Sequence, residues 1–362
     1  MGGKRTYNGH QGTDIMIGPY HWKRKNEGSV YAVAAAPGII VEKLDGQFDD
    51  NCSWDNGNGP SRGNHVVVLH NDGHTVSFYM HLKNGSLTDR VVGDPVQTGD
   101  ILGIVASSGN STGPHLHFQV NTGWSDPETD KGKMADPWAG PSNYTTSQSL
   151  WLNQKPYNIP TVYNMETHLG NTFDWYEENC DLTINLSTLK NSFTNSQNVG
   201  FRLWFRDWVD GSKISAGITR PDGTAQTTWI NLENKCNDDI WDPCTSAYDY
   251  NVICRFNYIT MNNTLPASAQ SGTYTFWVNF GGKTYRHYFA VNCQDNLSFL
   301  GGSQSGARGY RVSNDITSTT SISSSASNVI EYHADNGVVL KPGFTATQGC
   351  TFTATNKGCT RL

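Results

Sequence analysis

Short strand-like runs of mostly apolar residues, separated by polar and Gly-rich turns, recur along the first 140 residues of the chain. Short runs of this kind between turn signals are typical of β-strands. The runs are Val30–Ala36, Gly38–Lys43, His65–His70, Thr75–His81, Ile101–Ala106 and His115–Asn121. Turn-forming sequences such as Asn71-Asp72-Gly73 lie between them. The pattern predicts a mostly antiparallel β domain over residues 1–140.

The remaining residues divide into three parts. Residues 141–160 contain Pro141, Pro156 and Pro160 among many Ser, Thr and Asn residues, which is typical of a linker. Short alternating runs over residues 161–295 predict a β-sandwich domain. Residues 300–362 are too few for a large core and predict a small C-terminal β module. The fold class predicted for the whole chain is therefore mainly β.

Composition and charge narrow the set of partners. The 362 residues include 37 Gly, 11 Trp and 16 Tyr, which favours strands and turns over helices. The formal charge of −6 and the pI near 6.0 give no basic excess to attract nucleic acid. No run approaches the roughly 20 apolar residues that cross a bilayer. We expect a monomer with no nucleic-acid partner and no membrane span.

Eight cysteines without a Cys-x-x-Cys pair favour disulfides in an oxidising compartment over a cysteine zinc site. Reduced, buried thiols are the alternative. The predicted pairs are Cys350–Cys359, Cys180–Cys293 and Cys236–Cys244, with Cys52 and Cys254 left to pair across domains. No leader sequence is visible, so we expect the mature or trimmed form of a secreted protein.

Three histidine-containing segments in the first domain supply candidate metal ligands and proton-transfer groups. His10 and Asp14 lie four residues apart, and imidazole nitrogen and carboxylate oxygen both suit Zn²⁺. His115 and His117 would point to the same face of a strand. His81 ends a run just before a turn. Taken singly, each segment has a simpler interpretation. His10 and Asp14 could be a chance pair, His115 and His117 two surface histidines, and His81 a structural histidine.

In combination, these segments resemble the lysostaphin-type (LytM-like, peptidase family M23) zinc endopeptidases. The matching segments, in family order, are Gly9–Ile15, Val33–Ile40, Gly63–His70, Phe78–Leu82, Val96–Gly103 and Ser108–Phe118. They cover nearly all of residues 7–121. The chain departs from the family at Gln119, where many relatives have Glu. It also carries an insertion around Tyr20–Glu27, which would reshape one wall of the substrate groove.

The resemblance implies a zinc peptidase site. It implies one Zn²⁺ ion per catalytic domain, held by His10, Asp14 and His117 with one position left for water. It also implies that His115 and His81 form an unliganded pair beside that water. We expect His115 to act as general base, and His81 to stabilise the developing oxyanion or to protonate the leaving amine.

The resemblance also implies the substrate, which is a peptide bond beside Gly or D-Ala in the stem peptides or cross-bridges of bacterial peptidoglycan. Two alternatives stay open. One is cleavage of Gly-rich matrix proteins such as elastin. The other is a non-catalytic cell-wall-binding module, although all five family positions are filled here. Trp22, Trp54 and Trp124 either line the groove or pack internally.

The accessory regions carry signals of binding and export. In the middle domain, alternation over Phe201–Trp208 places Arg202, Trp204 and Arg206 on one face of a strand. These side chains either bind sugar or peptide or pack internally, which is the commoner outcome. Ala334–Phe344 and Gly349–Thr355 resemble the coathanger-stack-type C-terminal modules of secreted Bacteroidetes proteins. That resemblance implies export.

Overall fold

The structure, a computed structural model, describes most of the chain as two compact units that separate near residue 157. The described residues are 10–52, 60–125, 131–140, 148–156, 159–170, 188–207, 214–226, 252–254 and 258–360. Strands dominate both units, so the predicted mainly β fold class is confirmed. The only helix within these ranges has seven residues, and no membrane-spanning helix is found among them.

The first unit is built from short strands and one inserted helix. Its elements are β1 (Thr13–Met16), α1 (His21–Glu27), β2 (Tyr31–Val33), β3 (Gly38–Leu44), β4 (Asn64–His70), β5 (Thr75–Leu82), β6 (Pro95–Val96), β7 (Ile101–Ile104), β8 (His115–Thr122) and β9 (Lys133–Ala135). Each of the six strand-like runs overlaps a strand. The sequence pattern missed β1, β6 and β9 because two to four residues are too few to show a period.

One seven-stranded antiparallel sheet organises the first unit. Its strand order is β1-β8-β5-β4-β3-β6, and β9 also pairs with β8. Leu116, Phe118 and Val120 of β8 face a core that includes Val66, Val68 and Tyr79. Because side chains alternate along a strand, the histidines of β8 point to the opposite face.

The insertion around residues 20–27 forms α1. Lys25 is buried on this helix, with its Nζ 3.2 Å from Asp49 Oδ1 and in contact with Asp50. Trp22 is 1% exposed, so it packs internally and lines no groove. Trp124 packs against a buried cluster on β4 and β5, and Trp54 lies outside the described residues.

The second unit begins with a β-sandwich. Its strands are β10 (Thr161–Leu169), β11 (Ser192–Phe193), β12 (Asn198–Arg206), β13 (Ser215–Thr219), β14 (Ala225–Gln226), β15 (Val252–Cys254), β16 (Tyr258–Thr264), β17 (Gly272–Phe280) and β18 (Lys283–Val291). They form two sheets, β10-β12-β16-β15 and β11-β18-β17-β13-β14. Side chains of both sheets, such as Phe201 and Phe276, share one core.

The opposite face of β12 is buried as well. Trp204 is 1% exposed and Arg202 is 6% exposed, with the guanidinium 5.2 Å from the indole centroid. Internal packing, the commoner of the two alternatives for this pair, is therefore what the structure shows. The pair is not available to a sugar or peptide ligand.

The chain ends in a three-coil β-solenoid. Its strands are β19 (Leu297–Phe299), β20 (Ser303–Gln304), β21 (Ala307–Val312), β22 (Asp315–Ser318), β23 (Ser321–Ile322), β24 (Val329–Ala334), β25 (Gly337–Leu340), β26 (Thr345–Ala346) and β27 (Thr351–Thr355). Equivalent strands of successive coils pair in parallel as three three-stranded sheets. Ile316, Ile330 and Tyr332 fill the interior.

The disulfide predictions are partly wrong. Cys293, at the end of the sandwich, bonds to Cys359 at the end of the solenoid, 66 residues away. The predicted pairs Cys180–Cys293 and Cys350–Cys359 are therefore excluded, and Cys350 is a free thiol. Sequence spacing could not reveal this pair, because the two cysteines are 66 residues apart and meet only once the coils of the solenoid have stacked. Cys236, Cys244 and the side chain of Cys254 lie outside the described residues.

Candidate metal centre

Neighbouring strands β1 and β8 bring the candidate ligands together. Their antiparallel register places Asp14 directly opposite His117. Directly paired residues share one face of a sheet, so the carboxylate and the imidazole meet there. His10 lies just before β1, and its largely buried side chain reaches the same point.

The three donor atoms form a compact triangle. His10 Nε2 lies 3.0 Å from Asp14 Oδ1 and 3.2 Å from His117 Nδ1. His117 Nδ1 lies 2.9 Å from Asp14 Oδ1. In a tetrahedral zinc site with bonds of about 2.1 Å, adjacent donors are roughly 3.4 Å apart. The triangle therefore fits one face of such a site after a small expansion.

Charge and donor type also suit a divalent cation. Burial raises the pKa of the Asp14 carboxyl, but hydrogen bonds with His10, His115 and His117 outweigh burial and hold that pKa well below its ordinary value. The carboxylate is thus ionised, and two imidazoles complete a donor set that zinc prefers. Within the described ranges, His10, Asp14 and His117 are the only such group of three or more metal-ligating side chains.

Gly12 allows the chain between His10 and Asp14 to pass close to His117. A Cβ at this position would lie 2.5 Å from His117 Nε2 and 2.7 Å from the carbonyl oxygen of Phe118. Both distances are too short for non-bonded atoms, so any larger residue would displace the His117 ring. The sequence His10-Gln-Gly-Thr-Asp14 therefore needs glycine at its centre.

His81 and His115 lie beside the three candidate ligands. Their ring centroids are 4.8 Å apart, and the His81 ring is 5.9 Å from the His117 ring. His115 Nε2 lies 3.4 Å from Asp14 Oδ1. All five residues identified from the sequence therefore meet in one place.

Backbone carbonyl groups select the same tautomer of both rings. Nδ1 of His81 lies 2.7 Å from the carbonyl oxygen of Ser108. Nδ1 of His115 lies 2.7 Å from the carbonyl oxygen of Gly113. A carbonyl oxygen only accepts hydrogen bonds, so each Nδ1 carries a proton and donates it. Nε2 is then the atom of each ring that gains or loses a proton.

The loop before β8 holds those carbonyl groups in place through buried serine hydroxyls. Ser107 Oγ donates to Ser111 Oγ over 2.7 Å, and Ser111 Oγ donates to the carbonyl oxygen of Gly113 over 2.9 Å. Ser108 Oγ donates to the carbonyl oxygen of Leu82 over 2.8 Å. Spacing alone gave these serines no role, because their contacts depend on how the loop folds and on where it meets β5.

The two unliganded rings have different proton affinities. Burial, helped by the nearby His115, lowers the pKa of His81 to about 3. Burial also lowers the pKa of His115, but the hydrogen bond and charge of Asp14 outweigh it and raise that pKa above its ordinary value. A cation bound to Asp14 would offset the charge that produces this rise.

The backbone of His81 is strained. Its φ of 62° lies in the left-handed region, at a point where the β4–β5 register shifts. This conformation costs a residue with a side chain roughly 1–2 kcal/mol. Strain of this kind is kept where the surrounding structure imposes it. Here the His81 N–H donates to the carbonyl oxygen of Arg62 over 3.2 Å.

His65 lies on the same sheet but serves a different purpose. Its Nδ1 lies 2.7 Å from the carbonyl oxygen of Gly63, and its Nε2 lies 3.1 Å from Glu42 Oε1. Glu42 also accepts from Arg62 and Lys131. The hydrogen bond from His65, with the charges of these two cations, lowers the pKa of Glu42 to about 2 despite partial burial. This group is a structural ion cluster.

Comparison with known proteins matches a protein family to the segment that contains these residues. The sequence profile described as peptidase family M23 matches residues 9–137, an interval that contains all five site residues. Residues 9–137 are an M23 peptidase domain. In the M23 domain, the departure at Gln119 lies beyond the donor triangle, where Gln119 Nε2 donates to Asn121 Oδ1 over 2.8 Å.

Two curated relatives share the M23 domain. Glycyl-glycine endopeptidase ALE-1 of Staphylococcus capitis is 36% identical over 137 residues, which are 37% of this chain and 33% of ALE-1. Lysostaphin of Staphylococcus simulans is 44% identical over 86 residues, which are 24% of this chain and 14% of lysostaphin. The matched part of the chain thus spans about a third of ALE-1 and less of lysostaphin.

Among solved structures, the M23 domain is similar to the catalytic domain of lysostaphin from Staphylococcus simulans. The two are 30% identical over 35% of this chain and 75% of that domain, with a TM-score of 0.25. A TM-score of this size does not establish a shared fold.

Proposed function

We propose that the protein is a secreted zinc endopeptidase that cleaves bacterial peptidoglycan at bonds beside Gly or D-Ala, in stem peptides or cross-bridges. One observation carries the proposal: donor atoms of His10, Asp14 and His117 lie within 3.2 Å of one another, with two further imidazoles alongside. The relative ALE-1 is named a glycyl-glycine endopeptidase, which supports a substrate rich in glycine.

The residues of the site divide the chemistry between them. When bound by His10, Asp14 and His117, zinc supplies a Lewis acid for the scissile carbonyl and lowers the pKa of water. His115 accepts the proton of the attacking water at Nε2, since Gly113 occupies its Nδ1–H.

His81 performs the second role. Through a protonated Nε2 it stabilises the developing oxyanion or gives its proton to the leaving amine. The Ser108 carbonyl keeps the His81 ring turned so that Nε2 is the exchanging atom. The reverse division, in which His81 is the base and His115 the acid, is the alternative. The pH–rate profiles of His115→Ala and His81→Ala distinguish the two divisions.

The same proposal covers location and the accessory regions. The Cys293–Cys359 disulfide supports an oxidising compartment. We assign the solenoid to the coathanger-stack type of secreted Bacteroidetes proteins, because Ala334–Phe344 and Gly349–Thr355, which carry the resemblance, lie in its stacked coils. The protein is proposed to act as a monomer.

One experiment tests the proposed function and separates it from two alternatives, a matrix protease and a non-catalytic cell-wall-binding module. The zinc-loaded full chain is incubated with purified peptidoglycan sacculi, a pentaglycine peptide and elastin, and the products are identified by mass spectrometry. We expect new amino termini beside Gly or D-Ala in the first two substrates, lost with the Asp14→Asn variant. Cleavage of elastin alone would favour a matrix protease. Binding to sacculi without cleavage of any substrate would favour a non-catalytic cell-wall module and overturn the proposal.

A further inference from the structure

The sandwich presents a tryptophan on the outer face of its five-stranded sheet. Trp277 lies on β17, between Phe276 and Val278, which both point into the core. Alternation therefore turns the indole away from the core, and the residue is half-buried. β17 is a central strand of this sheet, paired with β13 on one side and β18 on the other.

A glycine on the neighbouring strand brings this indole down onto the sheet. Gly217 of β13 is the direct cross-strand partner of Trp277. A Cβ on Gly217 would lie 2.4 Å from Trp277 Cζ2 and 2.8 Å from Cε2. The indole therefore occupies the space of the missing side chain and rests against the backbone of β13. An aromatic ring held in this way is ordered before any ligand arrives.

Polar groups surround the ring. Arg286 of β18 is the partner of Trp277 on the other side and is exposed. Across the described residues, neither the Arg286 guanidinium nor the Trp277 indole N–H has a hydrogen-bond or ion-pair partner. In the adjacent row, Thr284 Oγ1 donates to Asn279 Oδ1 over 2.7 Å, and Asn279 Nδ2 donates to Ser215 Oγ over 3.2 Å.

The solenoid closes one side of this surface without covering it. Gly309 of β21 packs against the Tyr288 ring, where a Cβ would lie 2.4 Å from Cδ1. The backbone N–H of Arg311 donates to Thr273 Oγ1 over 2.8 Å. Both contacts lie on the outer face of β17 and β18, nearer the solenoid than Trp277 and Arg286. The solenoid thus forms a wall beside the indole.

We propose that Trp277 and Arg286, with the Ser215–Asn279–Thr284 row, bind a pyranose ring of a polysaccharide. A flat indole face matches the C–H face of a sugar ring, and the polar row matches its hydroxyl groups. The unpaired guanidinium complements the acetamido or carboxylate oxygens of an N-acetylated or acidic sugar. An extended peptide is disfavoured, because a central strand offers no free edge for backbone hydrogen bonds.

The sandwich is then a glycan-binding domain that holds the peptidase on its polymer. Only the identity of that polymer, the N-acetylhexosamine strand of peptidoglycan, rests on the proposed function. Binding to the sugar itself needs neither the metal centre nor cleavage. The two proposals can therefore fail separately.

The test is calorimetric titration of the full zinc-loaded chain with chitopentaose and cellopentaose, oligosaccharides with and without acetamido groups. We expect chitopentaose to bind, and Trp277→Ala to weaken binding about tenfold or more, on the scale of one stacked aromatic. Arg286→Ala should weaken chitopentaose binding more than cellopentaose binding. Tyr163→Ala, which removes an exposed aromatic ring from the opposite sheet, should change neither.

Trp277→Ala also removes packing against the sheet, so a second variant is needed that keeps the indole. Gly217→Ala retains the indole but forces it from its position, so it should weaken binding while the thermal unfolding midpoint shows a folded chain. Cleavage of soluble pentaglycine should be unchanged in Trp277→Ala. The proposal is overturned if the wild-type chain binds neither sugar, or if Trp277→Ala binds as tightly as wild type. Failure of wild type to cleave either sacculi or pentaglycine would overturn the proposed function alone.

Discussion

Two carboxylates in one β-sheet, Asp14 on β1 and Glu42 on β3, are each surrounded by groups that can carry positive charge. Asp14 Oδ1 contacts three imidazoles, those of His10, His115 and His117. Glu42 contacts one imidazole together with a guanidinium and an ammonium group. The two clusters differ in the chemical type of the neighbour.

That difference decides which cluster suits a metal ion. A neutral imidazole offers a lone pair, so three imidazoles around a carboxylate leave its charge to be matched by a cation. Guanidinium and ammonium groups have no lone pair to offer and already balance the charge of Glu42. A histidine near a carboxylate is therefore a poor guide to a metal centre until the remaining neighbours are known.

The largest expected effect comes from neutralising Asp14, and neutralising Glu42 serves as the control. Asp14→Asn should weaken zinc binding by more than the roughly 10–100-fold that changes outside the ligand sphere cost. Peptidase activity should fall with it. Glu42→Gln, the matched control on the same sheet, should bind one zinc ion and keep its activity within about twofold, because its cluster holds no metal ligand. Equilibrium dialysis with elemental analysis measures both, and equal losses in the two variants would erase the distinction drawn here.

The next effect separates metal binding from proton transfer. His115→Ala and His81→Ala should each retain zinc but lose roughly 10²–10⁴-fold in turnover, the scale of general acid–base catalysis. If His115 is the base, only its variant should lose the acidic limb of the pH–rate profile. The reverse division of roles predicts that loss in His81→Ala. Retention of full turnover in both variants would remove these residues from the mechanism.

A smaller effect concerns the pH dependence of stability. The folded-state pKa of Glu42 is about 2, below its ordinary value of 4.5. Its ion cluster therefore stabilises the fold above pH 4.5, and this contribution is lost as pH falls from there towards 2. Because the Glu42 side chain is partly exposed, we expect the cluster to contribute about 1 kcal/mol to the free energy of unfolding.

Urea unfolding at pH 7 and pH 3, with EDTA present to remove metal, measures this contribution. Wild type should lose about 1 kcal/mol more than Glu42→Gln between the two pH values. An equal loss in the two proteins would show that the cluster contributes nothing.

The smallest effect tests the strained backbone at His81. His81→Gly should be more stable than His81→Ala by about 0.5–1 kcal/mol, because relief of the left-handed strain exceeds the extra flexibility of glycine when unfolded. Met80, next to it, does not share the positive φ, so Met80→Gly should be less stable than Met80→Ala. Thermal unfolding measures all four variants, and the same order at both positions would argue against strain at His81.

The strands that carry the site could be predicted because alternation is a local property. The runs ending in His81 and beginning with His115 both lie on observed strands. Their spacing gave pairs of candidate groups, and only the family resemblance joined His10 and Asp14 to them. The strand β1 was too short for its pattern to show.

The orientation of the two unliganded rings was beyond the sequence. It depends on where the carbonyl groups of Ser108 and Gly113 point, and backbone direction in a loop is set by tertiary contacts. The same limit applies to Trp277, whose indole lies against the sheet only because Gly217 on another strand has no side chain. Trp204, the tryptophan of the middle domain that the sequence offered as a binding residue, is buried.

The central claim is that His10, Asp14 and His117 hold one zinc ion. Anomalous diffraction at the zinc absorption edge, on crystals grown with zinc, tests it directly. We predict a strong peak in the M23 domain within bonding distance of His10 Nε2, Asp14 Oδ1 and His117 Nδ1. A zinc peak elsewhere, or none at this triangle of atoms, would contradict the account.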